Sequence, residues 1–535
     1  MRIFKTAFIV LLSVSALGLQ ACRKADSDIT AGEIETHIRF LSDDLLEGRA
    51  VGSRGIDLAA LYQETYFRLV GLKPFFGASY RQTFDLKGSR PDRNMTLEVL
   101  GGSGATQVYK FPESFVGRSH REDCPEGVEG ELVYAGYLIQ APERQWDDLK
   151  GADLKGKVLL CEINEPGNTP GGIFDGEDMT YYGRWTYKFE KAAELGATGV
   201  LIIHNTKGAA YGWEVVQNSW SGESFFLPDE PQRLFFQGWI KGEAGEAILK
   251  AAGQDRAALL GRAETAGFRP VNLGIKVRVR HKAAFRTVRG MNVAGIVGPK
   301  KQKPETKTII LSAHFDHFGK DPLLQGDQIY NGAVDNGSAS ATLLALARTY
   351  GSRAETLKVN LVFAAVTAEE QVFLGSTYFV RHLAIPYGSI LAGINLEMTN
   401  VWGEVQDVYA IGAKHSDLDD YCRRAAERLG LRYIPEREGN LGYFFRSDQL
   451  SFAKAGIPAV WLHEGITSRG QNPDWIKIKT DDYKKNRYHK VTDRMEPDWD
   501  LRGTVQIARW AQELISLLSQ AKTLPQFKPT SSFHR

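Results

Sequence analysis

The feature that most constrains this chain is a set of short apolar runs, each stopping at an ionisable residue. Residues 308–311 (T-I-I-L), 359–366 (V-N-L-V-F-A-A-V) and 390–396 (I-L-A-G-I-N-L) have the length and texture of strands in a sheet covered on both faces. The first leads into S-A-H-F-D-H-F-G at 312–319, the second into T-A-E-E at 367–370, and the third stops at Glu397. Between the first two, N-G-A-V-D-N-G-S at 331–338 opens onto A-S-A-T-L-L-A-L-A-R at 339–348. That run of strong helix formers, with small residues in its first turn, places Asp335 just before a helix. In open α/β sheets, ligands collect outside the carboxyl ends of the strands. His314, Asp335 and the Glu369–Glu370 pair are therefore expected to converge.

Carboxylates gathered at buried strand ends repel one another unless a cation neutralises them. Zinc suits mixed histidine and carboxylate ligands. A second histidine comes from Y-H-K-V-T-D at 488–493, after the apolar run 458–462. The ligand candidates are thus His314, Asp335, Glu370, Glu397 and His489, with Glu369 to spare. They are too many for one catalytic zinc with an open position and suit two zinc ions sharing a carboxylate. Taken singly each has a duller reading: a core histidine, an acidic pair at a helix N-terminus, a surface histidine. Coincidence in five ordered places is hard to sustain, and no H-E-x-x-H, G-x-S-x-G or Walker motif competes.

In these motifs, and in their order, the chain after Thr30 resembles the di-zinc aminopeptidases, whose relatives include glutamate carboxypeptidases and glutaminyl cyclases. The resemblance implies a mixed, mostly parallel sheet flanked by helices. It also implies that His314, Asp335 and Glu397 hold one zinc and Asp335, Glu370 and His489 the other, with Asp335 bridging. Glu369 would be the general base, Asp316 would orient the His314 imidazole, and Asp493 would act similarly near His489. Position 397 departs from the family pattern, with Glu in N-L-E-M where Asp is usual. Its longer arm still reaches a metal if the backbone sits back by about a methylene. The resemblance also puts Ser447 and Asp448 at the border of the substrate pocket; their plainer role is to cap the helix holding Phe452. L-x-G-R-x-x-G-S at 46–53 is similar to the family's opening segment, and as residues it reads as a solvated loop without chemistry.

At 535 residues the chain exceeds one ordinary domain. Residues 1–21 read as a signal peptide: Arg2 and Lys5 precede an apolar stretch at 7–19 that is too short to span a membrane comfortably. L-Q-A-C at 19–22 resembles a bacterial lipobox, which makes Cys22 the lipidated first residue of an exported, envelope-anchored protein; the alternative is ordinary cleavage near Ala21. Residues 30–88 are expected to begin the main domain, with His37 on a helix surface. The texture then changes over 89–270, where D-L-K-G-K-V-L-L and K-A-A-E-L-G-A-T-G-V-L-I-I resemble the protease-associated domain often inserted in this family, a smaller β-rich α/β unit. There His204 and the aromatics Tyr181, Tyr182, Trp185 and Tyr187 read as core more than as cleft. The main domain resumes over 285–520, and 521–535 is expected to be a loose polar tail.

Lys+Arg 66 against Asp+Glu 64 leaves a net charge of +2, so no global field favours nucleic acid. Besides Cys22 there are three cysteines, an odd number without C-x-x-C; a bond between Cys124 and Cys161 stays open. The expected activity is aminopeptidase hydrolysis of peptides. A carboxypeptidase, a single-zinc glutaminyl cyclase and a catalytically silent binding protein on the same scaffold are the alternatives.

Overall fold

The computed structural model describes residues 28–534 except 102–105, 124–126, 230–233, 302 and 304. The signal peptide, Cys22 and Cys124 lie outside the described residues. The described residues form two compact units: those within 28–83, 291–435 and 451–526 make the first, and those within 84–290, 436–450 and 527–534 the second.

The first unit is built on a mixed, ten-stranded sheet that includes β1 (Ala283–Val297), β2 (Thr308–His314), β3 (Asn360–Val366), β4 (Ile390–Asn395), β5 (Asp407–Ile411) and β6 (Ala459–Glu464), neighbours in the order β1-β3-β2-β4-β6-β5. The central β3, β2, β4 and β6 are parallel, and β1 and β5 run antiparallel at their flanks. Register aligns His314 with Val366 and Ser312 with Asn395, so the polar residues after all three runs emerge on one side of the sheet. Alternation divides the apolar residues between two faces: Ile309, Leu311, Ala313, Leu361, Phe363 and Ala365 pack into the larger core, and Ile310, Val362, Ala364 and Val366 into the smaller.

Helices α1 (Ala31–Leu41), α2 (Arg54–Leu69), α3 (Ala339–Gly351) and α4 (Trp475–Asn486) precede the closing α5 (Arg502–Leu518). Almost every residue of α3 is buried, because it packs against β2 on one side and α1, α2 and α5 on others. The small side chains at its start, Ala339, Ser340 and Ala341, let it begin against the sheet. His37, expected on a helix surface, is 4% exposed: its Nδ1 shares a 2.8 Å hydrogen bond with the Tyr62 hydroxyl between α1 and α2.

The second unit carries an eight-stranded sheet whose centre, Val128–Tyr134, Val158–Glu162, Gly199–Ile203 and Phe236–Ile240, is parallel. It extends beyond the expected 89–270, starting at 84, running to 290 and gathering two later segments. The division falls within two long strands, Arg81–Pro91 and Ala283–Val297, where composition does not change. Residues 527–535, expected to be loose, are held here: Phe527 and Phe533 are buried, and the Phe533 ring lies 5.7 Å from Tyr181 and 5.8 Å from Phe444. Tyr181, Tyr182, Tyr187 and His204 are buried within this unit, and Cys161 and Cys422 are free, buried thiols.

Candidate metal centre

The candidate ligands meet where β2, β3 and β4 end. His314 is the last residue of β2, and its Nε2 faces Glu397 Oε1 at 3.1 Å and Asp335 Oδ1 at 3.3 Å, with Glu369 Oε2 at 3.9 Å. Asp335 turns its other oxygen, Oδ2, toward His489 Nε2 at 3.2 Å, and Glu370 Oε2 is 3.7 Å from that nitrogen. One carboxylate therefore stands between two histidines, the disposition a bridging ligand needs. Glu397 reaches the cluster despite its extra methylene, its backbone carbonyl fixed by a 2.9 Å hydrogen bond from the Trp461 indole.

His317 was not among the residues singled out from the sequence. It is 2% exposed, and its Nδ1 lies 2.6 Å from Glu370 Oε1. Facing donor atoms of His317, Asp335 and Glu370 lie within 4.8 Å of one another, as do those of His314, Asp335 and Glu397. The signal was the repeated histidine in H-F-D-H, three residues apart just beyond a strand, where local chain geometry cannot say which ring turns inward.

The supports differ in detail from expectation. His314 Nδ1 is 3.2 Å from the main-chain carbonyl of Asp316 and 3.7 Å from its carboxylate, so the backbone is the nearer acceptor. The Asp316 carboxylate instead accepts from the N–H groups of Glu369 (3.1 Å) and Glu370 (3.3 Å), fixing the loop that carries both glutamates. Asp493 likewise accepts from Val334 N–H (3.0 Å), Asp335 N–H (3.1 Å) and the Tyr483 hydroxyl (3.1 Å), and so positions the Asp335 backbone rather than the His489 ring.

Arg49, in the stretch read as a solvated loop, is 1% exposed. Its guanidinium donates to the carbonyls of Phe315 (2.7 Å), Asn331 (2.6 Å), Gly332 (3.0 Å) and Leu41. Burial pushes it down to about 10, partly offset by Asp316, Asp493, Asp335 and Glu370, and it remains charged at neutral pH. Ser447 and Asp448, expected at the pocket border, are buried just before helix Gln449–Lys454, in the segment that belongs to the second unit.

The electrostatics ask for a cation. Burial, then the neighbouring Asp335, hold the Glu370 carboxyl well above its ordinary range. Burial would lower the His314 imidazole, but Glu397 and Glu369 together hold it well above its ordinary value. Such displacements mark an excess of buried negative charge, which a divalent ion bound by these nitrogens and oxygens would relieve. The donor set fits zinc.

Residues 292–512, which contain every one of these site residues except Arg49, match peptidase family M28. Over those residues the chain is similar to the M28 peptidases. Aminopeptidase YwaD of Bacillus subtilis (strain 168) is 24% identical over 356 residues, covering 65% of this chain and 62% of the relative. The BOS complex subunit NCLN of Canis lupus familiaris is 29% identical over 198 residues, covering 33% of this chain and 32% of that protein. The chain thus spans less than two thirds of either curated relative. An aminopeptidase from Aneurinibacillus sp. strain AM-1 has a similar fold, with a TM-score of 0.52 and 23% identity over 93% of this chain and 95% of that one. The M28 match ends before the closing helix does and leaves the second unit almost wholly outside it.

Proposed function

We propose that this chain is a zinc-dependent exopeptidase, an aminopeptidase that removes N-terminal residues from peptides. The observation that carries the reading is Asp335, whose two oxygens face different histidines, each with its own further carboxylate, while Glu369 stands beside them. The name of the Bacillus subtilis relative supports it.

In this reading His314, Asp335 and Glu397 hold one zinc and Asp335, Glu370 and His489 the other. Zinc bound there supplies Lewis-acid polarisation of the scissile carbonyl and makes a water acidic enough to be deprotonated near neutral pH. The chain's own residues do the rest. The Glu369 carboxylate takes a proton from the attacking water and delivers it to the nitrogen of the leaving amine. Asp316 holds Glu369 and Glu370 in register through their backbone N–H groups, so the base and a ligand are placed by one side chain. The buried surroundings of His314, Asp335 and Glu397 limit bulk water and strengthen each of these interactions.

Hydrolysis of aminoacyl chromogenic amides, abolished by a chelator and restored by zinc, tests the activity. Glu369→Gln is expected to keep zinc while losing about 10²–10⁴ in kcat. Near-native turnover of that variant would refute the assignment of the base. Two zinc ions per chain separate this reading from a single-zinc cyclase, and blocked peptides cleaved at their C-termini would favour a carboxypeptidase.

We also propose export and lipid anchoring at Cys22, on the strength of Arg2, Lys5, the apolar stretch 7–19 and L-Q-A-C. Metabolic labelling with a radioactive fatty acid should mark the full-length protein and be lost in Cys22→Ser.

A further inference from the structure

Among the described residues, two arginines of the second unit lack an ion-pair partner. Arg184, the residue that starts helix Trp185–Glu194, is 7% exposed, and its Nε has no hydrogen-bond partner. Arg446 is half-buried, and its Nε and Nη2 are buried without a partner. Among the described residues neither guanidinium has a carboxylate within ion-pair distance, and the strongest charge that Arg184 meets is Arg446. Their closeness follows from the chain. Met179 N–H donates to the Gly439 carbonyl at 3.1 Å, and Gly442 packs so near that a Cβ there would stand 2.9 Å from Met179 Sδ and 3.5 Å from Arg184 Cδ. The Arg446 guanidinium carbon then lies 5.5 Å from the Tyr443 ring centre and 5.9 Å from that of Tyr211.

Other buried arginines of this protein have an acceptor for at least part of the guanidinium, although Arg118 and Arg144 also leave Nε without a partner. Arg49 meets four carbonyls, Arg256 pairs through two nitrogens with Glu162, and Arg118 lies over Trp220 while donating to Ser219. Two neighbouring guanidiniums, with Arg184 Nε and Arg446 Nε and Nη2 buried without acceptors, combine like-charge repulsion with unmade hydrogen bonds. Both costs vanish if an oxyanion sits between them. A planar guanidinium fork matches a carboxylate or phosphate through paired N–H groups, and flanking tyrosine rings suit a flat group.

We propose that Arg184 and Arg446, flanked by Tyr211 and Tyr443, form an oxyanion-binding site in the second unit that takes a carboxylate of a peptide ligand. The choice of a peptide as the carrier rests on the peptidase reading; the oxyanion site itself does not. A C-terminal carboxylate and an acidic side chain share this chemistry.

The test is calorimetric binding to the full chain of N-acetyl-dialanine, its C-terminal amide, N-acetyl-aspartyl-alanine amide and inorganic phosphate. The acetyl group prevents removal of an N-terminal residue, and 1,10-phenanthroline, which is neutral, removes any contribution from metal. At least one carboxylate ligand should bind ten times or more tightly than the dialanine amide, the acidic ligand that does so naming the source. Arg446→Gln and Arg184→Gln should each weaken that ligand roughly tenfold or more and leave the amide unchanged. Acid and amide binding alike, or either folded variant binding the acid as wild type does, would overturn the proposal. Phosphate binding with neither carboxylate ligand doing so would overturn the peptide assignment. Arg446 is the more exposed of the two, so its variant decides the matter should Arg184→Gln fail to fold. Hydrolysis of aminoacyl amides, measured separately, distinguishes the two readings. Hydrolysis without acid selectivity refutes the oxyanion site and leaves the peptidase standing, and selectivity without hydrolysis does the reverse.

Discussion

Replacing Arg49 with Met should unfasten the metal centre without touching a ligand. The guanidinium satisfies carbonyls of Leu41, Phe315, Asn331 and Gly332, which belong to the end of α1, the loop after β2 and the loop leading to Asp335. A hydrogen bond from a charged donor contributes about 1.5–3 kcal/mol, but such terms do not add, and water re-enters part of the space. Leaving several buried carbonyls without a donor costs about 1–3 kcal/mol each before relaxation, so a loss of roughly 3–5 kcal/mol is expected in the first unit. For a unit of this size it lowers Tm by roughly 6–10 °C. Two effects compete for the metal. Arg49 repels a bound dication, so on charge alone its loss would strengthen binding; the released loops carry His317 and Asp335, which weakens it. Geometry should win, because a ligand displaced by even about 1 Å loses its bond to zinc. Zinc affinity should therefore fall in competition with a fluorescent chelator while calorimetry reports the lost stability. Arg49→Lys keeps the charge without the planar fork. If that variant stays within about 1 kcal/mol of wild type, charge and not the carbonyl clamp is what matters, and the reasoning fails.

His317→Ala should weaken zinc binding about 10–100-fold, with His317→Asn recovering part of it because an amide N–H can replace Nδ1 beside Glu370; equal losses in both would argue that His317 is itself a ligand. Removing metal should lower thermal stability, by about 4 kcal/mol if zinc is present at a thousand times its dissociation constant, and re-adding zinc should restore it. Burial pushes the His37 imidazole down to about 4, against the weaker opposing effect of Glu33, so its folded pKa lies below the unfolded value near 6.5. Its contribution is complete above about pH 6.5 and is lost as pH falls toward 4, by at most about 3 kcal/mol. Urea titrations across that window should show a shallower pH slope in His37→Gln, and an unchanged slope would show that another group governs it.

Much of the centre was legible because strands and ligands coincide. A short continuous apolar run such as 308–311 reads as a strand buried on both faces, and a histidine shortly after it falls at the end of the sheet. That argument placed His314, Asp335, Glu369, Glu370 and Glu397 without knowledge of strand order. It was silent on what sits behind them. Arg49 looked solvated because its neighbours are glycines, and glycine marks a turn without saying whether the turn faces water or the interior. His317 carries no such mark, because only the packed loop decides that a second histidine, three residues after His314, also points inward. Beyond the imidazoles the sequence pairs them with, Asp316 and Asp493 accept from backbone N–H groups, partners that carry no mark in the sequence. Residues 521–535 read as loose from their polarity, although Phe527 and Phe533 find a core in the second unit.

By itself, then, the sequence determined which residues gather at the strand ends, because hydrophobic periodicity is local and the carboxyl edge of a sheet is a fixed place. Only the tertiary structure decided how those residues are oriented and which charges lack a partner, Arg184 and Arg446 among them. Orientation and neutralisation depend on contacts between segments hundreds of positions apart, and no local pattern encodes them.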